Sequence, residues 1–150
     1  MSFHRDLCLY LPLAKNLRDL RIQREEIPES LLLEVISTIG SGCPSLERLV
    51  INQESWSTVS STLSSILPNI LVNLATVQLP RLFAFCLVYP LDFIIRKTIT
   101  DRFREEILPN RPSFWFHLGD SLPRGTDVPR VHLDEIVVPC EYIDSFSVFP

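Results

Sequence analysis

The sequence predicts an α/β fold in which short parallel strands line one face of a solenoid and helices line the other, and three observations predict it. The apolar pattern Leu-x-x-Leu-x-Leu, with any large apolar residue allowed, recurs along the chain. The stretches between recurrences carry apolar residues at helical spacing. Proline and glycine mark the places where one period gives way to the other.

The strands come first. The pattern occurs as Leu17, Leu20 and Ile22 in NLRDLRI, as Leu46, Leu49 and Ile51 in SLERLVI, and as Leu82, Phe85 and Leu87 in RLFAFCL. RPSFWFH is a weaker copy with Arg111, Phe114 and Phe116, and VPRVHLD another with Val128, Val131 and Leu133; first positions are 29, 36, 29 and 17 residues apart. The last two apolar residues of a copy are two apart, so they share one side of a strand, and the first closes the bend leading into it. Strands are therefore expected near 20–22, 49–51, 85–88, 114–117 and 131–133. One such unit leaves its apolar face open, whereas stacked units cover one another.

Helical spacing fills the connections. Leu31, Leu32, Val35, Ile36 and Ile39 form one stripe, with Pro28 suited to the first turn and Gly40 or Gly42 to the end. Trp56, Val59, Leu63, Ile66 and Leu67 form a second, which Pro68 is expected to break or kink. In the third, Phe93, Ile95, Ile99, Phe103 and Ile107 are expected on one side and Arg96, Lys97, Asp101, Arg104 and Glu105 on the other, with Pro109 and Pro112 as the stop. The final interval, LGDSLPRGTDVPR, is too short for a helix and reads as a loop.

Composition narrows the function classes. Hydrophobic residues make up 46% and charged residues 21%, so the chain is expected to fold as a single domain over 1–150. Its net charge is -4 and Arg18, Arg21 and Arg24 are followed at once by Glu25, Glu26 and Glu29, which argues against a nucleic-acid partner. The most apolar part, 66–95, is divided by Arg81 and by Pro68, Pro80 and Pro90, leaving no run of the about 20 residues a spanning helix needs, so no membrane partner is expected. LCLYLPLA (7–14) has the length of a short signal h-region, but Asp6 precedes it and Pro12-Leu13-Ala14 is a poor cleavage site. Cys8, Cys43, Cys86 and Cys140 are widely spaced with no CxxC pair, as expected of a reduced, intracellular protein of cytoplasm or nucleus.

On these motifs the chain resembles a leucine-rich-repeat protein over residues 15–135. The GCPSLERLVI copy, with Cys43 and Pro44 ahead of Leu46, is similar to the cysteine-containing repeats of F-box proteins. The resemblance implies the substrate-recognition region of an F-box-type ubiquitin ligase subunit, in which the repeats select the substrate and a separate F-box binds a cullin-based complex. No F-box is recognisable in these 150 residues, so such a ligase would be reached through an F-box outside this sequence. The chain departs from the family three residues past the last repeat leucine, where Asn or Cys is usual: Glu25, Glu54, Pro90, Gly119 and Ile136 stand there instead. The first motif begins only at Leu17 and neither end reads as a polar cap, as in a piece of a longer array.

Catalytic parts are scarce. His117, Asp120 and Ser121 lie close in FWFHLGDS, and a small single-domain hydrolase using His117 and Ser121 is the alternative reading; a strand end followed by a turn accounts for the same letters. His4 with Cys8, and His132 and Asp134 with Cys140, lack the second close pair that a structural zinc site needs. Gly40, Gly42, Gly119 and Gly125 match no phosphate-cradling loop, so neither cofactor nor metal is expected and the chain is read as a non-enzyme.

Surface is what remains. Between the inward residues, the strands offer a row that begins charged (Arg18, Asp19, Arg21 and Gln23, then Glu47, Arg48, Val50 and Asn52) and turns apolar and aromatic (Phe83, Ala84, Cys86 and Val88, then Ser113, Trp115 and His117). A protein partner is expected on this concave sheet face, at Phe83, Cys86, Val88, Trp115, His117, Arg21 and Arg48, since aromatic anchors carry most interface energy. The competing expectation is cover from within the chain, by the EYIDSFSVFP tail with Tyr142, Phe146 and Phe149.

Overall fold

The alternation of the two periods along the chain is what the backbone follows. The computed structural model describes residues 16–24, 26–53, 61–119 and 146–147. The order is β1 (Asp19–Arg24), α1 (Glu29–Gly42), β2 (Arg48–Gln53), α2 (Ser61–Asn73) continued by a π-helical turn (Leu74–Gln78), β3 (Ala84–Val88), α3 (Phe93–Glu106), β4 (Trp115–Gly119) and the two-residue β5 (Phe146–Ser147). Strands β1 to β4 are parallel and lie side by side in sequence order, and β5 joins the outer edge of β1 antiparallel. The expected strand at 131–133 lies outside the described residues.

The register puts Leu20, Leu49, Phe85 and Phe116 in one row across the sheet and Ile22, Ile51, Leu87 and Leu118 in the next on the same side. Against this side pack Leu32, Val35, Ile36 and Ile39 of α1, Leu67 and Leu71 of α2, and Ile95, Ile99 and Phe103 of α3, all in one continuous core. The three described helices thus cover one face of the sheet, and each parallel pair is joined by a helix, as parallel pairing requires.

The bends into successive strands repeat one another. Leu46, Leu82 and Phe114 each donate their N–H to the carbonyl three residues back, on Cys43, Leu79 and Arg111, at 3.1, 3.1 and 3.0 Å. The carbonyl of Arg18 then accepts the N–H groups of Glu47 and Arg48, that of Glu47 accepts those of Phe83 and Ala84, and that of Phe83 accepts that of Trp115. Buried Cys43 and Leu79 fill the underside of their turns. At the third turn Arg111 replaces an apolar residue: its guanidinium donates to the carbonyls of Leu82 and Ala75 and lies 5.7 Å from the Phe114 ring centre. Burial holds the Arg111 pKa below its ordinary value.

That geometry corrects the fourth copy. Phe114, not Arg111, occupies the bend position of Leu46 and Leu82, and Phe116 and Leu118 are its inward strand residues. This copy has one residue fewer between bend and strand, so the Leu-x-x-Leu-x-Leu spacing falls two residues early. A slip of two preserves the face, because side chains alternate with period two, and Trp115 and His117 stay on the side opposite the helices.

Two helical expectations also change. Pro68 does not end α2, which runs on to Asn73 and through the π turn. Burial of Leu67, Leu71, Val72, Leu74 and Ala75 around it outweighs the cost of an interior proline, about 3 kcal/mol. The first residues of the predicted second stripe lie outside the described residues. In α3 the buried stripe is Ile95, Ile99 and Phe103, whereas Phe93 is 76% exposed. Two residues ahead of Ile95 is about 200° around a helix, so Phe93 points away from the sheet. Asp92 caps this helix by accepting the Ile95 N–H at 2.9 Å.

Candidate partner-binding surface

Alternation along each strand builds the second face of the sheet from the residues that the core leaves over. Its rows are Asp19, Arg48, Ala84 and Trp115, then Arg21, Val50, Cys86 and His117. Asn52 and Val88 continue it beside the backbone of Gly119. No described helix residue belongs to the cluster that Val50, Cys86, Val88 and Trp115 form here.

The expected contact residues divide by burial. Arg48, Cys86 and Val88 are 4%, 0% and 2% exposed, and Ala84 and Val50 are equally enclosed. Their burial leaves no surface on them for a partner, which corrects the reading of this row as solvent-facing. The pattern of alternation fixes which face a side chain joins, not whether that face meets water. Phe83, Trp115, His117 and Arg21 are half-buried and keep accessible surface. Phe83 precedes β3 at the bend, in the row of Arg18 and Glu47, where Arg18 Nε lies 3.5 Å from Glu47 Oε2.

Trp115 and His117 stack, with ring centres 6.3 Å apart and 13° between planes. Gly119 makes room for the imidazole: a Cβ there would lie 3.0 Å from His117 Nε2. The proposed triad partners Asp120 and Ser121 lie outside the described residues. Among the described residues no group of three His, Cys, Asp or Glu side chains could hold a metal, and no helix is long and apolar enough to cross a membrane.

Charge enters this face on the β1 and β2 side. Asp19 is 2% exposed and sits opposite Arg48 in the register. Burial pushes the Cys86 thiol up to about 12, against the opposing pull of the Arg21 and Arg48 charges. Cys43, beneath its turn, is pushed up to about 11 by burial.

At the far ends of β2 and β3, on the helix side, two side chains bond the backbone of Ile27. Gln53 Oε1 accepts the Ile27 N–H at 2.7 Å, and the Tyr89 hydroxyl donates to the Ile27 carbonyl at 2.8 Å. Both residues stand two past the last apolar residue of their copies, Ile51 and Leu87, one place before Glu54 and Pro90. Their side chains clasp buried Ile27 on the way from β1 into α1.

Tyr89→Phe is therefore expected to lower stability by about 1–3 kcal/mol, because it leaves the Ile27 carbonyl buried without its donor. Urea denaturation of the two proteins measures the loss, and an unchanged midpoint would remove the clasp.

Alkaline pH tests the buried acids together. Burial, helped by the charges of Glu29 and Glu26, pushes the Tyr89 phenol up to about 12 from 10.0, and both thiols start from 9.0. All three folded values are raised, so their contribution is fully present below pH 9.0 and is lost as pH rises through 11 to 12, where the unfolded groups have ionised first. Unfolding midpoints measured from pH 8 upward should hold near neutrality and fall above about pH 9, with a smaller fall in Tyr89→Phe.

Comparison with protein families, with curated proteins and with solved structures finds no match for this chain.

Proposed function

We propose that the chain is a protein-binding module of leucine-rich-repeat type, which holds its partner at the aromatic end of the sheet through Phe83, Trp115 and His117, with Arg21 on β1 as a charged contact further along the same face. The observation that carries this reading is the repeated bend. Three successive copies, entered at Leu46, Leu82 and Phe114, use the same turn and equivalent carbonyl acceptors and place Leu49, Phe85 and Phe116 in one row, with the three described helices on one side. Units that stack by repetition spread their variable side chains along one ribbon, which suits recognition of another macromolecule. Half-exposed tryptophan and phenylalanine at one end of that ribbon are the residue types that anchor protein interfaces.

The ligase role belongs to the same proposal but rests on a separate support, the resemblance of GCPSLERLVI to F-box repeats. In it, Cys43 and Pro44 shape the bend before β2, and the repeats present the degradation substrate. Affinity purification of the intact open reading frame from cells, in wild-type and Trp115→Ala, Phe83→Ala form, tests both parts. A partner whose binding falls at least about tenfold in the double variant, while the unfolding midpoint stays within a few degrees, supports the surface. Retention of that partner by the double variant overturns it. Absence of a cullin complex from the wild-type purification removes the ligase role and leaves the binding surface standing.

A further inference from the structure

We draw no further inference here: the strongest candidate, the groove along α3 lined by Phe93, Arg96, Lys97, Thr100, Asp101 and Arg104 next to exposed Ile94, offers mixed charge in which Lys97 pairs with Asp101, and nothing in the structure shows what covers it.

Discussion

Phe103→Ala lowers the unfolding free energy by about 4 kcal/mol, the middle of the range for removal of a buried aromatic ring. Phe103 is fully buried on the inner side of α3, and three other rings meet it edge-on. Phe116 lies 5.1 Å away at 85°, Phe114 5.8 Å at 81° and Phe85 6.2 Å at 65°, between ring centres and planes. Those neighbours come from β4, from the bend before β4 and from β3, so one side chain joins the last helix to the last two strands. Edge-to-face pairs add about 0.5–1.5 kcal/mol each beyond burial, and alanine removes all of them while leaving a cavity that the surrounding strands cannot collapse into. Phe93, ten residues earlier on the same helix, supplies the control: three-quarters exposed, it should change stability by no more than about 0.5 kcal/mol on the same replacement. Chemical denaturation of both variants distinguishes them. Equal effects would mean that α3 packs through a different face.

The contrast between these two phenylalanines shows how far the sequence can be read. Periodicity located α1 and α3, the first three strands and their common register, because each inward leucine had partners at the same position of neighbouring copies. It failed where local spacing competed with a specific contact. Phe93 fitted a loose apolar stripe, but helical geometry rotates it away from Ile95 by more than half a turn. The fourth copy is displaced because Phe114 and Phe116 satisfy the spacing from Arg111 although the bend residue is Phe114, and Arg111 instead binds carbonyls from the position that Cys43 and Leu79 hold in their turns. Gln53 and Tyr89 were passed over because each acts on Ile27, which lies 26 and 62 residues away in the chain, and no local pattern encodes that distance. Of the expected contact residues, face membership was legible for Trp115, His117, Cys86 and Val88, while their burial was not. Whether a face meets water depends on what the rest of the chain lays over it, which alternation within a strand does not record.

Val88→Asp probes that unreadable property directly. Val88 is 2% exposed on the face away from the helices, packed with Val50 and Cys86 and bordered by half-buried Trp115. A carboxylate there loses its hydration among Val50 and Cys86, and its register partner Asn52 offers a neutral amide rather than a balancing charge, so the expected destabilisation is about 3–5 kcal/mol at neutral pH. An open concave sheet would instead let the aspartate reach water, and the same substitution would cost under about 1 kcal/mol, the ordinary range for an exposed strand position. The pH dependence adds a second discriminator. Burial raises the folded pKa of the introduced carboxyl, so the variant's deficit must shrink as pH falls toward the unfolded carboxylate value of about 3.9 and the group enters the fold protonated. On an open face both states would titrate together and the deficit would not change with pH. A large, acid-relieved loss would therefore place Val88, and with it Cys86, in a second core, and would confine partner binding to Trp115, His117, Phe83 and Arg21 at its margin.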